Sequence, residues 1–174
     1  MKTTIHLLLA ATMAASLTAC HAPQTAIATG NGAILLYGDT ITLRVIDTPK
    51  ATISADGAFA IDGKTVTVTP AERSLLVNYN RNVRNVHETG LAMGKTGFKM
   101  TTKAIENKLS ATPDLADKAA EASNLKTLSL GICKAEVAIK VAQDQLAAQM
   151  AAFKPYAAII STSDVKSCDN GTKD

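Results

Sequence analysis

Between residues 39 and 69 apolar and polar side chains alternate with the period of a strand. Ile41, Leu43 and Val45 interleave with Thr42 and Arg44, and the short runs Ala51-Thr52-Ile53-Ser54, Ala58-Phe59-Ala60-Ile61 and Lys64-Thr65-Val66-Thr67-Val68 follow. A two-residue Asp62-Gly63 turn sets Ile61 opposite Lys64 and Phe59 opposite Val66, which gathers Phe59, Ile61, Val66 and Val68 on one side. For the preceding turn a two-residue loop would place Ser54 against Phe59. A three-residue Ala55-Asp56-Gly57 loop, with Gly57 left-handed, places Ile53 there and keeps the apolar face whole, so the longer loop is expected. A meander this small needs a cover for that face.

At Thr69-Pro70-Ala71-Glu72 the period changes. Thr69 is an N-cap, Pro70 occupies the first helical position and Glu72 completes a capping box. From there positions 76, 79, 83, 86, 90, 93, 97, 100 and 104 hold Leu, Tyr, Val, Val, Gly, Met, Gly, Met and Ala, a seam stepping by threes and fours. Ser110-Ala111-Thr112-Pro113-Asp114 supplies a stop and a new start. A second seam runs through 125, 128, 132, 135, 139, 142, 146, 149 and 153 as Leu, Leu, Ile, Ala, Ile, Ala, Leu, Gln and Phe. Each seam spans roughly 42 Å at 1.5 Å per residue, and equal lengths with a short connection predict an antiparallel helical hairpin over 70–155. Ser123-Asn124 and Gly131 are points where the second stretch could bend. Gly90, Gly94 and Gly97 each cost about 1 kcal/mol relative to Ala in a helix, so a close approach of the second helix, or else a partner chain, is expected along that strip. Phe153-Lys154-Pro155 ends the hairpin, and 156–174 forms a return segment and tail.

The N-terminus carries an address. Met1-Lys2-Thr3-Thr4 is a short basic start and Ile5 to Ala15 an uncharged, mostly apolar run, the two parts of a secretory signal. It ends in Leu17-Thr18-Ala19-Cys20, which resembles the lipobox of bacterial lipoproteins and implies removal of 1–19 and lipidation of Cys20. Two or three acyl chains, at about 0.8 kcal/mol per buried CH₂, hold a protein durably on a membrane without crossing it. By analogy with Gram-negative lipoproteins, His21 in place of Asp points to the periplasmic face of the outer membrane. Residues 20–38 read as a lipidated N-terminus and flexible tether, because 22–32 are small, uncharged and turn-rich.

With Cys20 lipidated, Cys133 and Cys168 remain, and two cysteines in an oxidising compartment pair with each other. Along a helix 133 to 155 is roughly 33 Å, while the 13 steps from 155 to 168 reach at most about 43 Å, so the bridge requires 156–163 to run nearly straight. No metal is expected, since His21 and His87 are the only histidines of the mature chain and no CxxC or HExxH spacing occurs.

Composition narrows the rest. The chain has 174 residues, 47% apolar and 19% charged, which describes one domain rather than several. Thirty alanines, no Trp, three Tyr and three Phe predict a core of small side chains without a deep ligand cavity. Removing 1–19, which contains Lys2 and no acid, lowers the net charge from +3 to +2, too weak for a nucleic-acid partner. Gly94-Lys95-Thr96 imitates the end of a phosphate-binding loop, but Thr89 stands where the first Gly belongs, so no nucleotide is expected. His87 beside Glu88 is a conceivable general base, yet no nucleophile or second carboxylate is placed by motif to work with it.

With the turns and the capping box in place, Ser54-Ala55-Asp56-Gly57, Asp62-Gly63-Lys64, Thr69-Pro70-Ala71-Glu72-Arg73 and Tyr79 carry a resemblance. The stretch from Ile53 to Arg84 resembles the YggN-like family of bacterial envelope proteins of unknown function. The resemblance implies an exported chain, a short β segment leading into long helices and a cysteine near the C-terminus, here Cys168. It brings no catalytic residues, and the lipobox departs from that family's ordinary signal.

The expectation is therefore an α+β chain: a small antiparallel β-meander (39–69), then a long antiparallel helical hairpin, with the C-terminal tail stapled by Cys133 and Cys168. It would be a non-enzymatic lipoprotein without cofactor, an envelope structural or protein-binding module that meets the membrane through its lipid and an envelope protein or a second copy through its helices. The rival is a periplasmic enzyme or an apolar-ligand carrier, which would need a cavity of several hundred Å³.

Overall fold

The computed structural model describes residues 22–110 and 115–170. The leader, Cys20, the Thr112-Pro113-Asp114 start signal and the last four residues lie outside the described residues. Six strands form one antiparallel sheet in sequence order: β1 Thr25–Thr29, β2 Gly32–Tyr37, β3 Thr40–Arg44, β4 Ala51–Ile53, β5 Phe59–Ile61 and β6 Lys64–Val66. Two long helices follow, α1 Pro70–Ser110 and α2 Leu115–Gln149, then a 3₁₀ turn Ala151–Tyr156 and a short helix α3 Thr162–Asn170. This is the α+β meander and hairpin that the periodicity predicts.

The registers follow the predicted faces. Phe59 lies opposite Val66 and Ile61 opposite Lys64, across an Asp62-Gly63 turn with both φ angles positive (48° and 75°), the geometry a two-residue hairpin loop favours. Ile53 lies opposite Phe59 across the three-residue loop, where the Ser54 N–H donates to Ala58 O (3.1 Å) and Gly57 has φ 77°. A side chain at Gly57 would also meet the Arg73 carbonyl oxygen at 2.7 Å, so the glycine admits α1 to the sheet.

The sheet begins earlier than expected. Residues 25–37, assigned to the tether, are β1 and β2, paired Ile27 to Ile34, and β2 continues into β3 with Leu36 opposite Ile41. Small uncharged residues suit a strand as well as a coil. Ile34 and Leu36 decide between them, because both are buried in the core. Among the described residues only Ala22-Pro23-Gln24 precede the sheet, and the Gln24 N–H already donates to Leu36 O (2.8 Å).

One face of the sheet, formed by Ile34, Leu36, Ile41, Leu43, Ala51, Ile53 and Phe59, packs on the first turns of α1 and the last turns of α2. Leu76, Tyr79 and Val83 come from α1, and Ile139, Ala142, Leu146 and Met150 from α2 and its end. The core is less alanine-rich than composition suggested. Phe59, Tyr79, Phe153 and Tyr156 form one aromatic cluster with centroids 5.8–6.4 Å apart. Among the residues whose burial is described, buried positions end at Val83 on α1 and begin at Ala135 on α2. Beyond them the two helices extend as an arm of about 35 Å.

Three expectations about the helices need correction. The second helix is continuous through Ser123-Asn124 and Gly131 but stops at Gln149, short of residue 155. Met150 turns extended (φ −118°, ψ 108°) and is buried, whereas Gln149 of the predicted seam is exposed. The return to Cys133 is folded, not straight. The chain doubles back through 157–160 beside Gln143 and closes the distance as α3, which lets the Cys133–Cys168 disulfide form with a Cα separation of 5.3 Å. Ending α2 early shortens the path that the tail must cover, so a helix of 1.5 Å per residue suffices. Finally, Gly90, Gly94 and Gly97 do not seat the second helix: a Cβ at any of them would meet open space. The close approach falls at Gly131, where a Cβ would lie 3.6 Å from the Thr89 side chain.

Candidate functional site

Strand β1 closes one edge of the sheet and meets both halves of the hairpin. Its inward side chains are Thr25, Ile27 and Thr29. Thr25 Oγ1 shares a 2.7 Å hydrogen bond with His87 Nδ1 on α1, and the Thr29 hydroxyl donates to Ile159 O. His87 is thereby committed to holding α1 on the sheet edge. Glu88 is exposed, and the hydroxyl that meets the ring is that of Thr25.

Beside that contact a cleft of about 220 Å³ is lined by Gln24, Leu36, Gly38, Asp39, Arg84, His87 and Glu88. Its cation is engaged: Arg84 Nη1 donates to Asp39 Oδ1 at 2.8 Å. Asn80, buried one turn earlier, donates to Asp39 O (2.9 Å) and Ile53 O (3.1 Å), which pins the β2–β3 turn to α1. A second hollow of about 330 Å³ lies between α1 and α2 among Asn82, Asn85, Glu88, Thr89, Gly131, Lys134 and Ala135. Both are open to solvent, and most of the residues around them are polar or charged.

The third cleft, about 220 Å³, lies under β1 against Ile27, Ala28, Thr29, Glu136, Ile160 and Asp164. Glu136 sits one turn after Cys133 on α2, with Oε2 3.6 Å from Cys168 Sγ. Burial, and then the charge of Asp164, push its carboxyl above the usual range. Asp164 is itself held low by the N–H and hydroxyl of Ser161, whose bonds to its Oδ2 are 2.8 and 2.7 Å. Ser161 and Asp164 thus cap α3 reciprocally.

Neither Glu136 nor Asp164 was singled out from the sequence, although both left a signal. Glu136 stands three residues from Cys133 on a predicted helix, hence on its face. Ser161-Thr162-Ser163-Asp164 has capping-box spacing, but a segment assumed straight hides it. The disulfide joins the predicted cysteines, the glycines lie on the open side of the arm, and Cys20 lies outside the described residues. Among the described residues no group of three His, Cys, Asp or Glu side chains could hold a metal, and no helix is long and apolar enough to cross a membrane. Comparison with protein families, curated proteins and solved structures gives no match for this chain.

Proposed function

We propose that this chain is a non-enzymatic lipoprotein of the Gram-negative outer membrane, anchored at Cys20 on the periplasmic face, whose helical arm binds an envelope protein. The observation that carries the reading is Leu17-Thr18-Ala19-Cys20 at the end of a basic, then apolar leader. The Cys133–Cys168 disulfide suits the oxidising compartment that such a leader reaches, and the resemblance of Ile53 to Arg84 to YggN-like envelope proteins points the same way. Because sheet pairing starts at Gln24, four residue steps or at most about 14 Å separate the lipidated residue from the body. The module therefore rides on a short leash, and its reach comes from the arm.

The arm offers a surface for a partner. Leu91 is 54% exposed there, beside Gly90 and Gly94, whose helix-weakening cost no internal packing offsets. Cys20→Ser is expected to move the protein from the membrane to the soluble periplasmic fraction, and retention in the membrane would overturn the anchor. A photo-crosslinker at Leu91 is expected to capture one envelope protein that a crosslinker at Ile46, exposed in the β3–β4 connection, does not. Equal capture from both sites would overturn the arm as the docking surface.

A further inference from the structure

The two sulfurs of the disulfide sit in unequal surroundings. Cys133 is partly open, while Cys168 is 7% exposed. The carboxyl of Glu136 faces the buried sulfur, with Oε2 3.6 Å from Cys168 Sγ. A bridge that only staples α3 to α2 has no use for a half-buried acid against its sulfur, where an apolar side chain would pack at lower desolvation cost.

We propose that the Cys133–Cys168 bond is an exchange site for a small monothiol of the glutathione type, entered at Cys133, with Glu136 delivering the proton to the departing Cys168. The incoming thiolate attacks Cys133 Sγ. A new sulfur–sulfur bond forms there, the Cys133–Cys168 bond breaks, and its electron pair leaves on Cys168, which takes the Glu136 proton to become a thiol. A second molecule of the same thiol attacks the mixed disulfide, releasing the oxidised monothiol dimer and the Cys133 thiolate. Two electrons thus pass from two thiols to one protein disulfide. On reoxidation the Glu136 carboxylate takes the Cys168 proton back.

Burial directs entry, because Cys168 is screened by packing while Cys133 is partly open. The groups around Glu136 favour its acid form. Asp164 faces it from α3 and, after burial, raises it. β1 presents the uncharged Ile27, Ala28 and Thr29. Lys140, one turn on along α2, is held by Asp144 (Nζ to Oδ1, 2.6 Å), while Glu88 and Lys134 lie in the groove on the α1 side. Opening the bond would free α3 and unseal the cleft beneath β1.

The test incubates the oxidised full chain with reduced glutathione from pH 5 to 8, quenches by alkylation and maps the adducts by mass spectrometry. Glutathione is expected on Cys133 with Cys168 alkylated. Glu136→Gln is expected to slow opening at pH 6 by roughly tenfold or more and to flatten the pH profile once corrected for glutathione thiolate. Asp164→Asn keeps the cap but removes the charge that raises Glu136, and is expected to shift the profile to lower pH. Adduct on Cys168, or Glu136→Gln opening at the wild-type rate, overturns the proposal. So does an opening rate that stops rising with glutathione, since exchange then waits on unfolding. Should Glu136→Gln fail to fold with the bond closed, Asp164→Asn decides, and an unmoved profile overturns the proposal.

Discussion

Buried amides do much of the joining at places where regular secondary structure ends. Gln143, fully buried on α2, donates from Nε2 to Ala157 O (2.5 Å) and Ile160 O (2.9 Å) and accepts from the Ile160 N–H at Oε1 (3.2 Å). Those groups belong to the turn that folds the tail back, and no helix or strand satisfies them. Gln143→Leu fills similar volume but orphans all three, so urea denaturation should show a loss on the order of 3 kcal/mol. An unchanged midpoint would mean that water or another side chain takes over. Asn80 plays the same part between α1 and the β2–β3 turn. Neither residue was legible beforehand, because an isolated Asn or Gln on a helix reads as solvated until the facing backbone is known.

At the scale of elements, caps and periods were legible wherever a local bond decides the outcome. The capping box forms as spelled: the Thr69 N–H donates to Glu72 Oε2 (2.7 Å) and the Glu72 N–H to Thr69 Oγ1 (3.3 Å). The seam is accurate at Leu76, Tyr79 and Val83, where the sheet presses on α1, and loosens at Gly90, where nothing does. Of the two expectations for the glycine strip, close packing on the second helix is therefore overturned. Gly94→Ala should raise stability by up to about 1 kcal/mol, since the added Cβ meets open space and Ala is the better helix former. A lower melting temperature would return the strip to an internal contact. Loss of the Leu91 crosslink with the gain intact would place it at the partner interface.

For the whole molecule the disulfide sets one part of the stability and the carboxyls make it depend on pH. Replacing Cys133 and Cys168 by Ala opens a loop of 35 residues in the unfolded chain and should cost about 3–4 kcal/mol in chemical denaturation. Fraying confined to α3, with the global transition unmoved, would contradict that. Asp56 is held low chiefly by the Ser54 hydroxyl, and Asp164 by the Ser161 N–H. Each contributes stability above the unfolded value of about 3.9 and loses it as pH falls through its lower folded value, so thermal melting should begin to fall below pH 4, by a small amount because both carboxyls are exposed. Glu136 has the opposite sign. Its folded value is raised, so its contribution is present below about pH 4.3 and is lost as pH rises through the raised value. Glu136→Gln should accordingly melt above wild type at pH 7, with the difference closing toward pH 4. A difference independent of pH would mean that Glu136 titrates like a free carboxyl.

The sequence by itself determined the turns at 55–57 and 62–63, the faces of β3 to β6, the start of α1, the hairpin and the identity of the paired cysteines. Each depends on backbone sterics, a neighbouring side chain or a repeat that a few adjacent residues express. Tertiary structure alone decided that 25–37 join the sheet, that α2 stops at Gln149, that the tail returns as α3, and that Glu136 meets a sulfur. Those outcomes turn on burial against elements distant in the chain, a free energy shared between surfaces that carries no period of its own.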